Sequence, residues 1–267
     1  MEDYLVSLDQ KSWKETKVAT FIEICDATGI LSGGSFEYNS EFGTPKAIHI
    51  KYPLKVYYKT MLYVEKVPEK AGLLLDNRTI TGDFEITVNG HALNNEDFQA
   101  VFINDQNNRI QEIAKYLTEG ENEIAVAVTA EHDWDGIRDP LFLVGEFGVK
   151  DGRIVALPKR AALRKHYIEG FPYYSGDFIF YKTFASEEGR KARLRLSCSD
   201  ELHDCLEVIV NGESLGTRAF APNSWNVREG LLQKDNTIEI IYTNTLIHML
   251  EGSYFDYDTH QTVQITE

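Results

Sequence analysis

Along most of this chain apolar residues fall at every second position rather than at every third or fourth. Phe84, Ile86 and Val88 alternate with Glu85 and Thr87, and Ile124, Val126 and Val128 form a second stripe. Ala192, Leu194, Leu196 and Cys198, then Leu206, Val208 and Val210, then Ile238, Ile240 and Tyr242 repeat the pattern, with Arg193 and Arg195 on the outer face of the first of these. A period of two sends alternate side chains to opposite faces of an extended strand, so each stripe predicts a strand with one face in a core. Two stripes run into Asn-Gly, at Asn89-Gly90 and Asn211-Gly212, a pair that tolerates the positive φ of a two-residue hairpin turn. Helical periodicity is confined to a turn or two within 107–117 and 158–167. Many short strands separated by turn residues predict an all-β chain of antiparallel sandwiches.

The pattern is stated twice. Tyr57-Tyr58-Lys59-Thr60 is matched by Phe180-Tyr181-Lys182-Thr183, and the interval from Tyr58 to Asn89 is nearly that from Tyr181 to Asn211. Leu117 to Asn122, leading into Ile124, is answered by Leu232 to Asn236, leading into Ile238. Landmarks repeated in the same order predict two copies of one β-rich domain, 1–150 and 151–267, meeting near Lys150-Asp151-Gly152. The Tyr-Lys-Thr and Asn-Gly landmarks are expected on equivalent strands of the two copies. The first copy carries extra strands before its Tyr-Lys-Thr, around Phe21, Ile22 and Ile24 and a Gly33-Gly34 turn. A length of 267 residues agrees, being roughly two average domains, each able to close its own core.

Charge narrows the partners. The net charge is -15, from 42 acidic and 27 basic residues, and the densest basic stretch, Lys159-Arg160 with Arg164-Lys165, is short. Nucleic acid and anionic membranes are therefore poor partners. Apolar runs are only strand-length, and Met1-Glu2-Asp3-Tyr4 carries neither a basic nor an apolar leader region. The expectation is a chain without a transmembrane helix or signal peptide, either cytoplasmic or a piece of something longer. Cys25, Cys198 and Cys205 follow no metal spacing, although Cys198 and Cys205 could face each other across a hairpin.

Several segments together carry a family resemblance. They are Gly170-Phe-Pro-Tyr-Tyr-Ser-Gly176, Phe180 to Phe184, Leu206 to Gly216, Ala221-Pro-Asn-Ser-Trp225, and Asn236 onward to Thr243-Asn-Thr-Leu246. The second half resembles the galactose-binding-like jelly-roll domains of large glycoside hydrolases, most closely the terminal sandwiches of rhamnosidase-like and β-galactosidase-like enzymes. The first half, through Val88-Asn-Gly90, Gly120-Glu-Asn122 and 136–145, is similar to the sandwich that precedes it there. The resemblance implies about eight antiparallel strands per domain and an ancillary role beside a catalytic barrel. The family's catalytic carboxylates lie on that barrel, so none is carried over.

Candidate chemistry is sparse. Gly212-Glu213-Ser214-Leu215-Gly216 has the form of a nucleophile elbow, but the elbow needs a following helix, and Thr217 to Pro222 has no helical period. The first copy has no serine at the corresponding turn. Glu131-His132-Asp133-Trp134-Asp135 with Arg138-Asp139 gathers oxygen donors that could hold a calcium ion, without the spacing of a calcium loop; Asp200-Glu201 with His203-Asp204, and Asp256, Asp258 with His260, are similar. No metal or cofactor is expected. Sugar recognition needs a flat aromatic face for the C–H side of the ring and planar polar groups for its hydroxyls. Three loops combine these: Trp134 with Asp135 and Arg138, Arg218 with Asn223 and Trp225, and Tyr173 before the first strand of the second copy.

Three readings stand. The chain is a non-catalytic carbohydrate-binding module pair of a glycoside hydrolase, with a glycan and a catalytic domain as partners; or a purely structural pair bracing a catalytic barrel; or a stand-alone jelly-roll enzyme of polysaccharide lyase type. Duplication argues against the third, because such a lyase works in one groove of one sandwich.

Overall fold

The computed structural model describes residues 1, 3–17, 19–20, 36–38, 45–47, 52–103, 105–132, 134–161, 170–189, 191–195, 204–244, 253–256 and 259–264. Among these, regular structure is strand apart from two single-turn 3-10 helices, Asn95–Asp97 and Ala114–Tyr116. The chain separates into two compact units, Met1–Gly148 with Gly152–Leu157 and Val149–Asp151 with Pro158–Glu267.

In the first unit the larger sheet runs His91–Leu93, Asp83–Val88, Gly120–Ala130, Leu54–Val64, Asp3–Ser7, Lys14–Lys17, each neighbour antiparallel. A second sheet runs Gln99–Ala100, Arg109–Glu112, Ala71–Leu75, Phe142–Gly145. Between them lies the core: Val6, Val56, Tyr58, Ile86, Val88, Ile124, Val126 and Val128 from the first meet Ala71, Leu73 and Leu75 from the second. This is the packing of a β-sandwich. Gly120–Ala130 is its central strand, and from Asn122 onward buried positions alternate with half-buried ones, as the apolar stripe requires. The helical spacing at 107–117 does not produce an α-helix. Ile110 pairs with Leu74 across the ladder to Ala71–Leu75, and only Ala114–Tyr116 turns, because sheet pairing satisfies the backbone that a short helix would leave open.

The second unit has a four-stranded antiparallel sheet, in order Asp177–Ala185, Asp235–Thr243, Cys205–Val210, Glu213–Arg218. Ala192–Arg195 pairs with Ser224–Val227, and Ser253–Asp256 with Gln261–Gln264. Phe178, Leu206, Val208, Val210, Trp225, Val227 and Tyr242 form its core. Both Asn-Gly pairs make the expected hairpin turns, with φ of 49° and 78° at Asn89 and Gly90, and 50° and 79° at Asn211 and Gly212.

Behind each turn sits the same hydrogen-bond network. Asn89 Nδ2 donates to Asn122 Oδ1 (2.7 Å) and to Tyr116 O (2.9 Å), while Glu123 N donates to Asn89 Oδ1 (2.9 Å). In the second unit Asn211 Nδ2 donates to Asn236 Oδ1 (2.8 Å) and Leu231 O (2.9 Å), and Thr237 N donates to Asn211 Oδ1 (2.9 Å). The buried amides Asn122 and Asn236 give a common reference point. Asn122 lies opposite Leu62 and Asn236 opposite Phe184, so Tyr58 corresponds to Phe180, not to Tyr181. The Tyr-Lys-Thr landmarks therefore lie on corresponding strands but one residue out of step. Since a one-residue shift exchanges the faces of a strand, Tyr58 is buried at 1% exposure while Tyr181 stands out at 62%.

The expected extra strands around Phe21 to Ile24, the Gly33-Gly34 turn, Cys25, Cys198, and 162–169 with Arg164-Lys165 lie outside the described residues. Cys205 begins a strand with its side chain exposed. Among the described residues no helix is long and apolar enough to cross a membrane.

Candidate functional site

In the first unit the strand Gly120–Ala130 ends in a turn that carries Trp134. Asp135, 5% exposed, folds beneath it: Oδ2 accepts the amides of Glu131 (2.9 Å) and His132 (3.0 Å) and lies 3.5 Å from His132 Nδ1. Thr81 Oγ1 donates to Trp134 O (2.8 Å), and the indole stacks on His132 with centroids 4.7 Å apart and planes 14° apart. Trp134 itself is 58% exposed. The sequence reading of Asp135 as a ligand acceptor is thereby corrected, because its carboxylate is spent inside the turn. Arg138 is exposed, with its amide donating to Thr79 O (2.7 Å). Asp133 lies outside the described residues, and among those described no three His, Cys, Asp or Glu side chains converge as a metal site.

In the second unit the three candidates of the Trp225 loop part company. Trp225 is 1% exposed, and its Nε1 donates to Gly216 O (2.7 Å). It offers no face to a ligand; the alternation of Ser224–Val227 sends Trp225 and Val227 into the core. Asn223 is buried beside it. Arg218 remains exposed at the end of Glu213–Arg218. The opposite face of the Trp225 strand supplies what the sequence reading missed. Arg193 lies across the ladder from Asn226 and Arg195 from Ser224, and Arg193 Nη2 donates to Ser224 Oγ (3.0 Å). Together with Arg218, Phe220 and Pro222, Arg193 and Asn226 line a depression of about 470 Å³. The signal was the stripe through Leu194: a strand that buries Leu194 must turn Arg193 outward.

Tyr173 is 39% exposed. Its neighbour Tyr174 packs edge-on against Phe171 and Phe178 and donates its hydroxyl to Asp177 O (3.0 Å). Burial, aided by the Asp177 charge, pushes the Tyr174 phenol above its ordinary pKa. Asn244 fixes the backbone here, donating Nδ2 to Tyr174 O (2.7 Å) and accepting from Gly176 N (2.8 Å).

Ser214 sits within the hairpin strand Glu213–Arg218, donating to Glu207 Oε1 (2.5 Å) and accepting from Gly216 N (3.1 Å). No strand-to-helix turn presents it. Of the acidic groups, Asp204 accepts from the Tyr242 hydroxyl, whereas Asp200, Glu201, His203 and Asp258 lie outside the described residues.

No protein-family model matches the chain, and no curated protein matches it at a significant level. Among solved structures it is similar to a glycosyl hydrolase family 2 member from Bacteroides cellulosilyticus, at 15% identity and a TM-score of 0.36, over 91% of this chain and 30% of that one. It is likewise similar to a β-D-mannosidase from Dictyoglomus thermophilum (12% identity, TM-score 0.39, 91% of this chain, 30% of that one). An exo-chitosanase from Amycolatopsis orientalis matches at 10% identity and a TM-score of 0.40, over 90% of this chain and 28% of that one. The chain thus spans about 30% of the length of the glycoside hydrolases it resembles, which is a likeness to a part of those proteins.

Proposed function

We propose that the chain is a tandem pair of non-catalytic, galactose-binding-like sandwiches that binds or positions a glycan for a glycoside hydrolase. The observation that carries this reading is the Trp134 turn. A large aromatic ring left 58% exposed is stacked on one side against His132, and its turn is held by Asp135 through the amides of Glu131 and His132, so its remaining surface is presented with little freedom to lose. Such a platform suits the C–H face of a sugar, and Arg138 supplies a forked donor nearby in sequence. Stacking and a few hydrogen bonds on an open surface give micromolar to millimolar affinity, on the order of 4–8 kcal/mol. The test is a screen of the purified chain against a glycan array, followed by calorimetry of Trp134→Ala on a glycan the native chain binds. Loss of most of the affinity is expected; unchanged affinity moves the site, and no binding to any glycan sinks the reading.

Bracing of a catalytic domain is the second reading. It is favoured by Ile179 and Tyr181, 65% and 62% exposed on the outer face of Asp177–Ala185, an apolar pair that a partner surface could cover. Under either reading the isolated chain hydrolyses no aryl glycoside or ester. Turnover abolished by Ser214→Ala would overturn both.

A further inference from the structure

We propose that the depression on the second unit is a subsite for an acidic sugar, with Arg193 and Arg218 receiving a ring-borne carboxylate. The inference rests on the glycan-binding reading and deepens it by naming a ligand class.

The lining chemistry is unlike the rest of the chain. The net charge is -15, yet the depression holds two arginines and no carboxylate. Of the other cations on or beside these strands, Arg228 forms a bidentate pair with Glu213 and Lys191 lies 3.3 Å from Glu229, while Arg195, on the same strand as Arg193, adds positive charge with no acidic partner among the described residues. Arg193 instead contacts a neutral hydroxyl, that of Ser224, and among the described residues neither Arg193 nor Arg218 has an acidic partner. Two guanidinium groups at one concavity with no counter-charge are an anion site in waiting, and the planar fork matches the planar carboxylate.

The remaining lining makes the anion a sugar. Phe220 is 83% exposed at the rim, a flat face for the C–H side of a pyranose, and Asn226 offers both a donor and an acceptor to hydroxyls. A long polyanion such as nucleic acid would meet the acidic surface beyond the depression. A single carboxylate meets the arginines alone, because salt screens the remaining charges beyond about 8 Å.

The test is calorimetry of the intact chain with a galacturonate oligosaccharide, the matching neutral galactose oligosaccharide and a sulfated one. The galacturonate is expected to bind at least about tenfold tighter than the neutral sugar, and to weaken as salt rises. Arg193→Ala and Arg218→Ala should each weaken it by about tenfold or more, with Arg218→Lys losing less because charge survives without the fork. Trp225 emission checks that each variant is folded. Equal affinity for the acidic and neutral sugars, or folded arginine variants that bind as the native chain does, overturns the inference while leaving the wider reading intact. Preference for the sulfated sugar overturns the carboxylate assignment. Binding of no glycan at all overturns the wider reading and this one with it.

Discussion

Replacing Asn236 by alanine should destabilise the second unit out of proportion to the few atoms removed. The side chain is 2% exposed. Its Oδ1 accepts from Gln233 N (2.8 Å) and Asn211 Nδ2 (2.8 Å), and its Nδ2 donates to Gln233 O (2.7 Å) and Ser186 Oγ (3.0 Å). Asn211 and Ser186 keep other partners, Leu231 O and Gln233 O, so they lose less. Four hydrogen bonds are lost, each contributing roughly 0.5–1.5 kcal/mol; the Gln233 amide loses its acceptor, while the Gln233 carbonyl keeps the Ser186 hydroxyl. Allowing for some water entry, about 3 kcal/mol is expected. At a slope of about 1.5 kcal/mol/M the urea midpoint should fall by about 2 M. Trp225 is a built-in probe: at 1% exposure its emission must shift when this unit opens, while the exposed Trp134 changes little. Asn226→Ala, at an exposed position, is the control and should stay within about 0.5 kcal/mol. If Asn236→Ala behaves like that control, the amide network does not hold the turn, and its recurrence in both units has no energetic meaning.

Asp135→Ala should weaken any glycan binding that depends on Trp134, although the carboxylate touches no ligand; equal affinity in calorimetry would show that the turn holds without its brace. Gly145→Ala should cost about 2 kcal/mol or more in thermal unfolding, because an added Cβ would stand 2.1 Å from Lys70 O and backbone cannot yield cheaply; a shift in midpoint within error would refute it. Asp9, whose carboxylate accepts the amides of Ser12 and Lys11 and the Ser7 hydroxyl, is held at about 2 against an ordinary 3.8. A depressed carboxylate stabilises the 7–12 turn above the ordinary value and loses that contribution as pH falls through about 2, so carbon-detected NMR titration should find its midpoint well below those of other aspartates.

The strands were legible because the period-two stripes are long and unbroken. Leu206, Val208 and Val210 are all buried, and both Asn-Gly turns form where the pair occurs. The two Asn-Gly turns, each backed by an asparagine, were legible as well, but the register of the Tyr-Lys-Thr landmarks was not. Tyr-Lys-Thr is a short string on a strand, and neighbouring aromatics such as Tyr57 and Tyr58 allow either alignment. Only the paired asparagines, which must meet across the ladder, fix the offset. The candidate site was less legible, since composition says nothing about which way a strand faces. Trp225 and Arg218 looked like one cluster, yet alternation buries the first and the core claims it. Arg193 becomes a neighbour of Arg218 only through cross-strand pairing with Asn226, a contact between segments far apart in sequence.

The two units solve one problem in two ways at the corresponding ends of corresponding strands. Counting from Asn122 and Asn236, Thr129 matches Thr243 and Ala130 matches Asn244, so the two central strands end within one residue of each other. In the first unit the departing turn is gathered by Asp135, whose carboxylate ties down the amides of Glu131 and His132 beneath the exposed Trp134. In the second, Asn244 reaches back to Gly176 N and Tyr174 O, beside the exposed Tyr173. A buried polar side chain that satisfies loop backbone removes freedom that binding would otherwise have to remove, on the order of 0.5–1.5 kcal/mol for each immobilised side chain. When the whole interaction with a shallow ligand is only several kcal/mol, that share is large. Under the glycan-binding reading proposed above, the braces and the asparagine network are therefore where the sandwich would contribute to recognition. On that reading ligand choice would fall to the rims, which differ between the units: an indole on a fixed turn in one, and two guanidinium groups beside a phenyl ring in the other.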